Sequence, residues 1–262
     1  MSPTIESMVA ALAITLSLEI GFWRGPFPRT KTTRFPSLAL GIIAGLCYMA
    51  YRAPEHDAQP AAGRILLTAA GAGVRLLCGA YSDRVRPSTR RHFSAAVVAG
   101  ILVFVAGGGI RFLAIPGHGV YELPTVVSLI VTCFWVFLVI GTLEICSMLP
   151  LLAGAAALLV GMSVFIPYEV FKTYIGLTLC GTILGAMPGR VLGELITVRS
   201  HAYEKAEVLV LGYLVACATL SIFLKSIAGA FIIPVGLVVV AAVILTTHSL
   251  DRSLILRAKP RG

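Results

Sequence analysis

The residues best suited to chemistry stand in one short stretch, Gly79-Ala-Tyr-Ser82-Asp83-Arg84-Val-Arg86-Pro-Ser-Thr-Arg90-Arg91. It carries four arginines, Arg84, Arg86, Arg90 and Arg91, and one carboxylate, Asp83. Arginine forks match phosphate oxygens with paired hydrogen bonds. The cluster could therefore hold a polyprenyl phosphate or a nucleotide diphosphate. It could also touch anionic head groups, at about 1 kcal/mol per charge near the surface, or simply set membrane orientation. These readings are compatible. Asp83 beside Arg84 reads as an exposed ion pair, worth about 0–1 kcal/mol.

Other ionisable residues are sparse. Glu144 stands at the mouth of two apolar runs, where an ionisable group is a functional candidate by default; the plainer reading is a hydrated loop carboxylate. Glu19 falls inside the first apolar run and calls for a salt bridge or a contact with a partner subunit. The five histidines, His56, His92, His118, His201 and His248, are scattered, and no two share a helical face at zinc-ligand spacing. The six cysteines all lie in apolar segments and none forms a CxxC pair, so they read as small packing residues. No nucleophile triad, phosphate-binding glycine loop or dinucleotide fingerprint is present.

The elements that must position these residues are membrane helices. Of the 262 residues, 58% are hydrophobic and 13% charged. A soluble domain has roughly 45–50% apolar and about 25% charged residues. A bilayer core needs about 20 apolar residues per helix, with about 17–25 tolerated. Nine runs qualify or nearly so: 8–23, 37–51, 65–81, 93–114, 124–141, 145–166, 174–187, 206–224 and 228–247. They are continuously apolar rather than alternating, which predicts helices. The first run lacks a basic leader and follows Glu6, so it is expected to be a membrane helix rather than a cleaved signal.

The net charge of +9 resides in short loops between these runs, which argues for membrane topology and against nucleic acid. With the N-terminus outside and the C-terminus cytoplasmic, 15 of the 21 Lys and Arg face the cytoplasm. The expected fold is thus all-α: a single polytopic bundle over residues 1–262 with about nine transmembrane helices. Residues 52–63, with Pro54, Glu55, Asp57 and Pro60, read as an outer loop. Gly41 and Gly45 make a GxxxG pair that permits close helix approach, as do Ala69 and Gly73, Gly107 and Gly109, and Ala153 and Ala157.

The order of these features over about residues 25–245 resembles the polyprenyl-phosphate N-acetylhexosamine-1-phosphate transferases of the MraY/WecA type (glycosyltransferase family 4). The basic stretch Arg29-Thr-Lys-Thr-Thr-Arg34-Phe-Pro-Ser-Leu-Ala-Leu-Gly41 is similar to the family's basic run into its second helix. The family's G-x-x-D-D-R is matched by Gly79 to Arg84, with Ser82 in place of the first Asp. The turn Gly107-Gly-Gly-Ile-Arg111 is similar too. The family's N-x-x-N-x-x-D-G-x-D-G is replaced by Gly141-Thr-Leu-Glu144-Ile-Cys-Ser147-Met148-Leu-Pro150, so both Asn and both Asp are gone. Met187-Pro188-Gly-Arg190 keeps the opening of the next motif but not its G-D-S-G, and the final His-rich loop and tenth helix have no counterpart.

The resemblance implies a bacterial inner-membrane protein of cell-envelope polysaccharide synthesis, handling undecaprenyl phosphate and a UDP-sugar. Its departures imply a non-catalytic lipid-carrier binder or scaffold, working beside a partner membrane subunit. An active enzyme with a rebuilt site would use Asp83 and Glu144 as catalytic residues and Asp83 with Glu194 on Mg²⁺. A small-solute transporter is a further reading, which the lack of an inverted repeat disfavours.

Overall fold

The computed structural model describes residues 2–24, 36–56, 58–84, 89–115, 119–146, 174–197 and 205–222. Seven α-helices follow in order: α1 (Pro3–Arg24), α2 (Ser37–Arg52), α3 (Gln59–Arg84), α4 (Thr89–Val103), α5 (Thr125–Cys146), α6 (Tyr174–Thr197) and α7 (Lys205–Ile222). Four helical segments are long and apolar enough to cross a membrane: Pro3–Gly21, Ser37–His56, Gln59–Ala80 and Tyr174–Ile196. Phe93–Gly108, Thr125–Gly141 and Ala206–Leu220 are shorter apolar helices. The apolar runs 145–166 and 228–247 lie outside the described residues.

Three sequence expectations change. The stretch 52–63 is not an open loop: a 3-10 turn spans Ala53–His56 and α3 begins at Gln59. Proline is tolerated in a first helical turn, where its missing N–H has no partner to lose, so Pro60 starts α3 rather than preventing it. The run 93–114 is not one helix. It passes into a π-helical turn, Phe104–Gly108, where Gly107 adopts φ 84°, a left-handed conformation that favours glycine. Beyond it the chain forms an antiparallel hairpin, β1 (Phe112–Ile115) with β2 (Gly119–Glu122), pairing Phe112 with Glu122 and Leu113 with Tyr121. The described chain is therefore almost wholly helical rather than all-α. Finally, α6 runs through Pro188 to Thr197 instead of ending near 187.

Hydroxyls of α5 hold the hairpin's approach. Thr132 Oγ1 accepts from Ile110 N at 3.1 Å, and Ser128 Oγ donates to Ile110 O at 2.5 Å. Without them two backbone groups of a buried residue would lack partners.

Helices α3, α4, α5 and α7 pack in a ring, each against the next, and α1, α2 and α6 pack alongside. The densest packing is between α1 and α6, and glycine makes it possible. Gly181, Gly185, Gly189 and Gly193 recur every fourth residue on one face of α6. A β-carbon at Gly185 would lie 2.9 Å from Met8 Cα, one at Gly189 2.8 Å from Leu12 O, and one at Gly193 2.5 Å from Glu19 Cγ. From α2, Gly41 meets Thr15 and Gly45 meets Ala11 of the same helix. Small residues let backbones approach closely where apolar burial alone gives no drive to associate.

These contacts fix direction. α6 runs parallel to α1, α2 antiparallel to it. Gly71 against Tyr213 and Gly79 against Ala206 set α7 antiparallel to α3. The first end of the bundle holds the starts of α1, α3, α5 and α6. The second end holds the starts of α2, α4 and α7.

Candidate functional site

Those directions bring the sequence's candidates to one place. Asp83 and Arg84 occupy the last turn of α3, and Arg90 and Arg91 the first turn of α4. Glu144 stands in the last turn of α5, a helical position rather than a loop, and Glu194 in the last turn of α6. All six backbone positions therefore sit at the second end. Arg86 lies outside the described residues, as do His201, His248, Glu204 and Asp251.

The side chains described at this end form a buried ionic network. Arg190 is 5% exposed and Glu207 is fully buried. The Arg190 guanidinium pairs with Glu207 through Nη1 and, through Nε at 3.1 Å, with Glu194 one turn on. Glu207 Oε1 also accepts from Leu38 N at 3.1 Å. The first amides of a helix have no intrahelical acceptor, and Pro36 gives α2 no side-chain cap. A carboxylate from α7 supplies one instead, at the end of the helix dipole that favours negative charge. Beside it, Ser37 Oγ donates to Glu19, whose aliphatic stem is admitted by Gly193. Glu19, for which its sequence position suggests a salt bridge or a subunit contact, meets a hydroxyl of α2 here.

The chemistry open to these groups is limited by that pairing. Mg²⁺ wants oxygen ligands, usually one or two carboxylates with waters. Glu194, one of the two metal candidates, has its carboxylate against Arg190. Among the described residues no three His, Cys, Asp or Glu side chains gather in a way that could hold a metal ion.

A groove opens between α4 and α5. Its volume is about 370 Å³, and Phe93, Val97, Ile101, Ile130, Cys133 and Phe137 are among its walls. Phe93 and Phe137 meet edge to face with centroids 5.8 Å apart. Gly100 lets α4 and α5 come close beside it: a β-carbon there would lie 2.8 Å from Cys133 Cα. The groove's Phe93 stands two residues after Arg91 in α4.

A second polar cluster, at the first end, has no forerunner in the sequence reading. Glu6 of α1 is 8% exposed. Its Oε1 accepts from Arg52 Nε at 2.6 Å and from Tyr48 Oη at 3.3 Å, and its Oε2 lies 2.7 Å from His56 Nε2. Arg52 also pairs with Glu55. The His56 ring packs on Tyr174 with centroids 5.5 Å apart, and Tyr174 Oη donates to Met49 O at 2.9 Å. The only sequence signal is several charged residues clustered beside long apolar runs.

Sequence comparison adds no relative: no protein-family model matches the chain, and no curated protein matches it.

Proposed function

We propose that this chain is a multi-pass membrane protein that binds a phosphate-bearing polyprenyl lipid and does not itself transfer sugar phosphate. In this reading the chain crosses a bacterial inner membrane about nine times, with the N-terminus outside and the second end of the bundle in the cytoplasm. The lipid tail lies in the α4–α5 groove and its phosphate meets Arg84, Arg86, Arg90 and Arg91. A partner membrane subunit completes the assembly.

The observation that carries this reading is the alignment of an apolar groove with a basic helix end. An isoprenoid phosphate is a long apolar chain with a compact anionic head. The groove's apolar walls suit the first, and arginine suits the second. Phosphoryl transfer, by contrast, needs charge neutralisation by metal and a positioned nucleophile. The carboxylates Glu194 and Glu207 are committed to Arg190, and Ser82 stands where the resembling family carries an acid.

The test uses purified full-length protein in nanodiscs with undecaprenyl phosphate. Native mass spectrometry should show one retained lipid phosphate, lost on double substitution of Arg90→Ala and Arg91→Ala. With Mg²⁺ and a panel of UDP-sugars, no UMP should be released. UMP release that Asp83→Asn abolishes would replace this reading with an active phospho-sugar transferase.

A further inference from the structure

We infer that the cluster around His56 is a proton-responsive clasp on the first end of the bundle. It joins four elements: α1 through Glu6, α2 through Tyr48 and Arg52, the 3-10 turn through Glu55 and His56, and α6 through the ring of Tyr174. This inference does not depend on the lipid-binding proposal.

The charges are balanced only in one state. Two carboxylates, Glu6 and Glu55, face one guanidinium, Arg52. With a neutral imidazole the cluster carries one net negative charge; with an imidazolium it carries none. Histidine is the side chain whose ordinary titration falls between pH 5 and 8. The other facing side chains are the phenols of Tyr48 and Tyr174. α3 packs on the turn, but its first charged residue, Arg64, lies against Gly107 of the π-helical turn. Asp57, next in sequence to His56, lies outside the described residues.

Geometry makes the proton count. His56 Nε2 and Glu6 Oε2 are 2.7 Å apart, and the Glu6 side chain is 9% exposed. A neutral imidazole donates to an ionised acceptor; an imidazolium puts a full charge on both partners and adds a direct attraction that is poorly screened at so low an exposure. The Tyr174 ring packs on the imidazole, fixed by its own bond to Met49 O. Proton binding therefore tightens the tie from the Ala53–His56 turn to α1, and proton loss loosens it while the ring contact remains. A compartment that acidifies on this side would close the junction of α1, α2 and α6.

The test is the thermal midpoint of the full-length protein in nanodiscs at pH 5.5 and pH 8.0. The wild type should lose about 2–4 °C more than His56→Gln across that interval, the shift expected of one such interaction in a chain of this size. Glu6→Gln should remove the same step. His56→Arg, which keeps a cation at both pH values, should hold the acid-side midpoint at pH 8.0. A full step in His56→Gln, or one that survives Glu6→Gln, overturns the clasp. Should His56→Gln not fold, His56→Arg decides alone: a lost step supports the clasp and a retained step rejects it.

Discussion

Gly185 of α6 presses its backbone onto the main-chain carbonyl of Met8 in α1, so closely that a β-carbon there would lie 2.9 Å from Met8 Cα. The obstacle is backbone, not the far end of a flexible side chain. A larger residue at 185 must push the two helices apart along the whole ladder from Gly181 to Gly193. Overpacking of this kind costs typically about 1–3 kcal/mol. Gly185→Val should therefore lower the unfolding midpoint strongly. Gly21→Ala and Gly73→Ala face open space and should be neutral or stabilising, since alanine is favoured over glycine in a helix by about 1 kcal/mol. Thermal unfolding of the three variants in one detergent distinguishes them.

The Arg190 network predicts a non-additive pair. Removing one partner of a buried ion pair costs about 3–5 kcal/mol, because the other charge stays buried and uncompensated. Glu207→Ala leaves the buried Arg190 guanidinium with Glu194 alone and strands the Leu38 amide. It should be among the most destabilising single changes in the protein. The double change of Arg190→Leu with Glu207→Leu removes the buried charge pair, leaves the Leu38 amide without its acceptor and the part-exposed Glu194 without its guanidinium, and should recover much of the loss. A double mutant as damaged as the sum of its singles would contradict this coupling.

How much of this was legible in the sequence varies by kind of contact. The helices were, because continuous apolar runs admit little else in lipid. So was the placing of the backbone of Asp83, Arg84, Arg90, Arg91, Glu144 and Glu194 at one end of the bundle, since the expected alternation of apolar runs and basic loops puts those helix ends together. The hairpin was not: Phe112, Leu113, Ala114 and Ile115 simply extend the apolar run of α4, and the break depends on Gly107 turning left-handed. The cap on α2 was not either. Its acceptor Glu207 is 169 residues from Leu38, and a backbone donor leaves no mark in composition. The α6 ladder is different. Glycines at 181, 185, 189 and 193 are written at helical spacing, a longer signal than the Gly41 and Gly45 pair.

Orientation is open to direct labelling. In a cysteine-free background, a single cysteine replacing Arg111 should react with an impermeant maleimide added to spheroplasts. One replacing Arg34 or Arg86 should react only after the membrane is opened. The positive-inside distribution demands this result. Reaction of all three from the same side would mean that the number of crossings between residues 34 and 111 is not the odd-span pattern expected.

The groove yields the most specific test of lipid binding. Val97 and Ile130 line opposite walls of the α4–α5 groove, and Ile130 is 62% exposed. A tryptophan at 130 adds volume on the open side, where no buried core must yield, so the fold should stand and its unfolding midpoint should change little. Such a side chain occupies the space an isoprenoid chain would take. Ile130→Trp should therefore lose co-purifying polyprenyl phosphate while keeping the annular phospholipids that coat any membrane bundle. Arg90→Ala with Arg91→Ala should release the same lipid by the other route, through its head group, and more so as salt rises and screens the remaining charges. If Ile130→Trp retains the lipid but the arginine pair does not, the phosphate is held at the helix end and the tail lies elsewhere. If both retain it, the lipid does not use this face of the protein.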